Sequence, residues 1–176
     1  MSKLIILDRD GVINQDSVDY IKTPDEFLML PGSAEAIALL TQAGYVIAVA
    51  TNQSGVSRGY YDREMLDAIH DKMRACVERA GGRIDLIESC IHLPSAQCAC
   101  RKPKPGLLYA IAQRLQCDLQ DVPFVGDRVS DVQAAMAVGA RPFMVISTMT
   151  DETDRQMYPQ VPVFLSLLDC VHSILG

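Results

Sequence analysis

The sequence predicts an α/β domain, a parallel sheet with helices packed on both faces. Short apolar runs alternate with segments of helical hydrophobic spacing along the chain, the pattern that strand–helix–strand units produce. The runs are apolar at consecutive positions, as strands buried on both faces are. Three of them end abruptly in acids, hydroxyls or amides, at the edge where open α/β sheets hold their ligands.

The elements follow in order. Residues 4–7 form the first strand, and a long Asp-rich loop runs from about 12 to 31. Ser33 reads as the N-cap of a helix that turns Ile37 and Leu40 inward and closes near Gly44. Residues 46–50 make the second strand, which ends in Thr51-Asn52-Gln53-Ser54-Gly55. Asp62 caps a longer helix with Leu66, Ile69, Met73, Cys76 and Val77 at helical spacing and Gly81-Gly82 as its stop. Residues 84–91 read as the third strand. After a cysteine-containing loop, a helix from about Pro105 carries Leu108, Ile111 and Leu115 on one face. Residues 122–125 form the fourth strand, ending in Gly126-Asp127. Ser130 is a possible cap for the short helix that follows, and Gly139 ends it. Residues 143–146 make a fifth strand and 165–175 a terminal helix. No internal repeat or low-complexity linker interrupts this pattern, so residues 1–176 read as a single domain.

Composition narrows the function. A chain of 176 residues, 49% hydrophobic, can bury one sizeable core. The net charge of −6 comes with no basic run, which argues against a nucleic-acid surface. No apolar stretch approaches the ~18 residues of a membrane span. The N-terminus runs straight into a strand, leaving no room for a signal peptide, so the expected compartment is the cytoplasm and the expected state a monomer. In that setting clustered cysteines point to metal before disulfides.

The first strand ends in Asp8-Arg9-Asp10-Gly11, the second in Thr51-Asn52, and the fourth in Asp127-Arg128 with Asp131 just beyond. Between the third and fourth strands lies Arg101-Lys102-Pro103-Lys104-Pro105. Acids from separate segments repel one another unless a cation or shared proton relieves them. A hard divalent ion does so, and magnesium combines one or two carboxylates with waters and a substrate phosphate. A lysine or arginine beside it offsets the remaining phosphate charge. Asp131 either supports this group or simply caps its helix.

A second cluster is Cys90-x-His92-x5-Cys98-x-Cys100. Three thiols and an imidazole in the loop at about 90–100 suit a closed, structural zinc site; the plainer alternative is an accidental grouping. Cys76, Cys117 and Cys170 read as core residues, and His70 and His172 as ordinary surface or core-edge histidines. Arg101 and Lys102 follow Cys100 directly, so a zinc-clamped loop would present both cations at a fixed angle.

Asp8-x-Asp10-Gly11, Thr51-Asn52, Lys102 and Gly126-Asp127 with Asp131 resemble, in order, the four motifs of the haloacid dehalogenase superfamily of phosphatases. The resemblance implies a three-layer α/β/α, Rossmann-like sheet without a large cap domain. It implies Asp8 as nucleophile, forming an aspartyl-phosphate, and Asp10 as general acid and then base. Magnesium would be held by the Asp8 carboxylate, the Asp10 main-chain carbonyl and Asp127. Thr51 would bond a phosphoryl oxygen, and Lys102 would offset charge on Asp8 and the transferred group.

Zinc followed by Arg-Lys-Pro resembles one branch, which contains the heptose bisphosphate 7-phosphatases and the histidinol-phosphate phosphatases. Thr51-Asn52-Gln53-Ser54-Gly55, with Arg58-Gly59 after it, is similar to the heptose group, as is the loop from Asn14 to Tyr20. The histidinol group would carry Asp in place of Ser54. The five residues between His92 and Cys98 are a departure, short for heptose enzymes and common among histidinol ones. A phosphosugar is thus the expected substrate, in the supply of activated heptose for lipopolysaccharide. Arg101 and Arg128, with Arg58 as a third, would meet a second phosphate; Arg128 could instead pair with Asp131. Asp16, Asp19, Asn52, Gln53 and Ser54 would meet the sugar, or Asp16 and Asp19 belong to a solvated acidic loop. Histidinol phosphate remains an alternative substrate. A receiver or zinc module without turnover is an alternative of another class.

Overall fold

The computed structural model describes residues 3–176. Its centre is a six-stranded sheet, all parallel, in the order β3-β2-β1-β4-β5-β6. β1 is Lys3–Leu7, β2 Tyr45–Asn52, β3 Leu86–Cys90, β4 Pro123–Gly126, β5 Arg141–Val145 and β6 Val163–Phe164. The chain moves outward from β1 to β3, then returns to β4 on the other side of β1. β1 and β4 therefore flank the topological switch point, and their carboxyl ends open a crevice there. Leu7 lies level with Val49 on one side and Val125 on the other.

The helices are α1 Ser33–Gln42, α2 Arg63–Arg79, α3 Gly106–Leu115, α4 Val129–Ala137, α5 Glu152–Gln156 and α6 Leu167–Leu175. Strand side chains alternate between faces, and both faces of β1 are buried. Ile5 and Leu7 pack in the core with Ile37, Ile69 and Val171, from α1, α2 and α6. Leu4 and Ile6 pack with Leu108, Ile111 and Ala134, from α3 and α4. This is the predicted three-layer arrangement, and among the described residues no helix is long and apolar enough to cross a membrane.

Some caps differ from expectation. Asp62 does cap α2, accepting from Met65 N at 2.8 Å. Gly32, at φ +82°, is the N-cap of α1, because the Ser33 hydroxyl donates inward to Val12 O at 2.8 Å. Arg128, not Ser130, precedes α4, whose first turn is closed by Asp131. α6 starts two residues late, with Ser166 accepting from Asp169 N at 3.1 Å. α5 and β6 were not expected.

Candidate active site

The site begins where β1 and β4 end. Asp8 directly follows β1, and its N–H donates to Val125 O of β4 at 2.9 Å. Asp127 directly follows β4, and Asp131 lies in the first turn of α4. These three carboxylates each bring an oxygen within 4.8 Å of the others. Lys102 enters from the loop after β3. Its Nζ donates to Asp8 Oδ1 at 3.0 Å, to Asp131 Oδ1 at 2.7 Å and to Ala50 O of β2 at 2.8 Å. Asn52 fixes the lysine's backbone from both sides: its Nδ2 donates to Lys102 O at 3.2 Å and its Oδ1 accepts from Lys102 N at 3.1 Å.

Three carboxylates around one ammonium are left in charge deficit. Burial, then Asp131, pushes Asp8 well above the usual carboxylate range, against the pull of Lys102. Burial and Asp131 push Asp127 up to about 6, although the Ser147 hydroxyl, 2.6 Å from Oδ2, stabilises the anion. Burial opposes the charge on Lys102, yet Asp131 and Asp8 outweigh it and raise its pKa.

Asp131 is held through both oxygens. Oδ1 accepts from Lys102, and Oδ2 accepts from the backbone N–H groups of Asp127 and Arg128 at 3.1 and 3.2 Å. It both props the lysine and closes the helix, so the two sequence alternatives coexist. Asp127 Oδ1, by contrast, is buried with no hydrogen-bond partner among the described residues. Gly11 lies against it at φ +85°, and a Cβ there would collide with Asp127 Oδ2. Hard oxygens, uncompensated charge and an orphaned buried carboxylate oxygen fit a magnesium ion held by Asp8 and Asp127.

Asp10 is held differently. Its Oδ1 accepts from Arg9 NH2 at 2.7 Å, Arg9 Nε at 3.1 Å and Asn14 Nδ2 at 2.9 Å. Among the described residues its Oδ2 accepts only from Gln53 Nε2, at 2.8 Å. Burial works against the charge, but Arg9, Asn14 and Gln53 together hold its pKa below the usual range. The Tyr61 hydroxyl orients Gln53, donating to Oε1 at 2.6 Å, while Gln53 Nε2 also donates to Thr51 Oγ1 at 2.9 Å.

Asp8, Asp10, Gln53, Lys102, Arg101 and Arg128 line one cavity of about 420 Å³, together with Asp16, Asn52 and Ser54. Thr51 is buried beneath it. Asp19 is not brought there: it is exposed on the outer side of the first loop. Arg58 stacks over Tyr20 at 5.9 Å, outside the cavity lining. Arg101 keeps a buried NH1 without a partner among the described residues. Arg128 NH2 donates to Asp16 Oδ2 at 2.9 Å, tying the first loop to the start of α4. The side-chain pairing of Arg128 is therefore with Asp16 and not with Asp131.

Sequence reasoning missed Arg9, Asn14, Tyr61, His70 and Ser147, which contact the site acids or the groups that hold them. Only Arg9 carried a signal, as a charged residue between two motif acids at the end of a buried strand. His70 sits on the buried face of α2, where its helical spacing with Leu66 and Met73 matches ordinary core packing.

At the neighbouring strand end, Cys90 closes β3 and is fully buried. Its Sγ lies 2.7 Å from Cys100 Sγ, 3.6 Å from Cys98 Sγ and 3.4 Å from His92 Nδ1. His92 Nδ1 lies 3.2 Å from Cys100 Sγ. The four donor atoms fall within 4.8 Å of one another, and all the cysteines are free. Three soft sulfurs and one imidazole nitrogen so gathered fit a closed tetrahedral zinc site.

Comparison with known proteins adds the lineage. The family model described as "HAD-hyrolase-like" matches residues 99–170. A D-glycero-β-D-manno-heptose-1,7-bisphosphate 7-phosphatase of Pseudomonas putida is 49% identical over 98% of this chain and 97% of its own. One from Neisseria meningitidis is 46% identical over 95% of this chain and 91% of its own. The crystal structure of a D,D-heptose 1,7-bisphosphate phosphatase from B. bronchiseptica, complexed with magnesium and phosphate, superposes with a TM-score of 0.90 at 46% identity, covering 98% of each chain. Identity of that order along nearly the full length places the chain in the D-glycero-β-D-manno-heptose-1,7-bisphosphate 7-phosphatase family of haloacid dehalogenase-type hydrolases.

Proposed function

We propose that this chain removes the 7-phosphate of D-glycero-D-manno-heptose 1,7-bisphosphate, working on activated-heptose supply for lipopolysaccharide. The observation that carries the reading is Asp8 at the switch point, flanked by Lys102 and Asp127 and facing the same cavity as Asp10. The relatives' names supply the sugar, and favour it over histidinol phosphate. The B. bronchiseptica structure supports magnesium and phosphate as the ligands for this kind of site.

Phosphoryl transfer needs positioning and charge neutralisation more than unusual reactivity. Asp8 Oδ1 is occupied by Lys102 Nζ and, at 2.8 Å, by the Arg9 N–H. The Asp8 carboxylate attacks phosphorus, forming the Asp8–phosphate bond as the bond from phosphorus to the sugar oxygen breaks. Asp10 gives that oxygen its proton. A phosphate dianion beside Asp10 raises its proton affinity, offsetting the donors that keep it ionised in the free enzyme. As a carboxylate again, Asp10 takes a proton from water as the water attacks phosphorus. The Asp8–phosphate bond then breaks, and inorganic phosphate leaves. Asp8, Asp127 and the Asp10 carbonyl would hold magnesium, which when bound supplies charge neutralisation to Asp8 and the transferred phosphoryl group.

Gln53 and Ser54 border the phosphate and sugar, Thr51 beneath them accepts from Gln53 Nε2 and anchors it, and Asp16 aligns Arg128. Arg101 and Arg128 are cations for the second phosphate. Three cysteines and a histidine gathered as a metal cluster suit the cytoplasm, where clustered cysteines bind metal before they form disulfides. Initial rates of phosphate release at low concentration, compared on the heptose bisphosphate and histidinol phosphate, test the reading. Preference for the sugar is expected. Preference for histidinol phosphate overturns the substrate, and undiminished release by Asp8→Asn overturns the chemistry.

A further inference from the structure

We infer that His70, acting through Arg9, positions the Asp10 carboxylate for its proton transfer to the leaving sugar oxygen. The inference rests on the proposed reaction, and the mechanism above makes no use of His70.

Arg9 is fully shielded from solvent, so its Nε, NH1 and NH2 need hydrogen-bond partners. Nε and NH2 both donate to Asp10 Oδ1. NH1 has one side-chain partner among the described residues, His70 Nε2 at 3.1 Å. Behind the guanidinium lies Phe27, itself buried, with its ring centroid 5.8 Å from Arg9 Cζ. The arginine is thus boxed on three sides, by Asp10, His70 and Phe27.

His70 can play this part only with a free lone pair on Nε2, because Arg9 has no acceptor. The proton then sits on Nδ1. Burial and the neighbouring Arg9 charge drop the His70 pKa to about 3, so the ring stays neutral wherever the enzyme works. A neutral acceptor at that point fixes the guanidinium plane. Arg9 in turn fixes Oδ1 of Asp10, leaving Oδ2 turned toward Gln53 and the cavity. With His70 gone, NH1 is a buried orphan. The guanidinium would then swing toward the remaining acceptors and carry the carboxylate with it.

The test compares two leaving groups. A sugar alkoxide must be protonated as it departs, whereas an aryl oxide such as that of p-nitrophenyl phosphate need not be. His70→Phe keeps the ring volume and removes the acceptor. It is expected to lower kcat on the heptose bisphosphate about tenfold, with KM within about twofold and the aryl ester slowed less than about threefold. His70→Gln returns an acceptor and is expected to recover most of the loss. Equal loss on both substrates, no loss on either, or no recovery in a folded Gln variant overturns the inference. Imidazole 15N NMR of the unaltered protein reads the same point without any variant: Nε2 is expected as an unprotonated acceptor at neutral pH, and a protonated Nε2 refutes the proposal. If the unaltered protein itself fails to release phosphate from the sugar, the functional reading has failed and not this one.

Discussion

Lys102 directs all three of its N–H bonds at the site, to Asp8, Asp131 and the end of β2. That ammonium is the one cation between two buried carboxylates, so its removal separates catalysis from metal binding. Lys102→Met is expected to slow phosphate release by about 10²–10³. Its magnesium affinity should hold or increase, because the pocket becomes more negative. Parallel loss of both in calorimetric titration and steady-state kinetics would show that the lysine merely supports the fold. Gly11→Ala is the converse case. Its left-handed φ and a Cβ driven into Asp127 should abolish magnesium-dependent turnover while zinc content stays unchanged. Asp8 and Asp127 were legible because each stands directly after a strand, Asp10 and Lys102 because they follow β1 and the cysteine cluster within three residues. The contact between Arg9 and His70 was not, since it joins residues far apart in sequence. A histidine at core spacing reads the same whether it packs or pairs.

The cysteine loop was legible for the same local reason: four ligands lie within eleven residues. The loop is also wedged against α3. Gly106 N donates to Ala99 O at 3.0 Å, and a Cβ at Gly106 would collide with that carbonyl. Immediately after Cys100 come Arg101 and Lys102, so the loop's shape sets where both cations stand. Cys98→Ala is expected to lose zinc, keep the sheet, and turn over about tenfold or more slowly, because supporting groups set the precision of a catalytic lysine. Metal analysis, far-UV circular dichroism and phosphate release together check it. Full turnover without zinc would rule out the preorganising role. Other elements left little trace in the sequence. β6 has only two residues and is recruited by pairing with β5, and α5 is a five-residue polar turn with no buried side chain. Ser33 misled because its hydroxyl serves the buried carbonyl of Val12, a contact formed only after α1 docks on the first loop.

The switch point also shapes the stability of the entire chain. Packing Asp8, Asp127 and Asp131 into one crevice raises Asp127 from 3.8 to about 6 and Asp8 well above the same starting value. Between about pH 4 and 6 the folded protein therefore binds more protons at these sites than the unfolded chain does. Their contribution to stability is fully present near pH 4; the Asp127 part is lost as pH rises through about 6, and the Asp8 part as pH rises through its own raised value. His70 acts in the opposite sense. Its pKa falls to about 3 from 6.5, so the unfolded chain takes up that proton first and acid destabilises the fold. The two effects overlap in pH, and a simple melting profile would blur them. Magnesium separates them, because the residues that would hold it are these carboxylates, where it would compete with protons, and not His70. The melting-temperature rise on adding saturating magnesium, with zinc retained in chelator-free buffer, isolates the carboxylates at each pH. It should be larger at pH 7, where Asp127 is ionised, and should shrink by more than half near pH 5. A magnesium-induced shift of equal size at both values would mean that these carboxylates do not hold the ion.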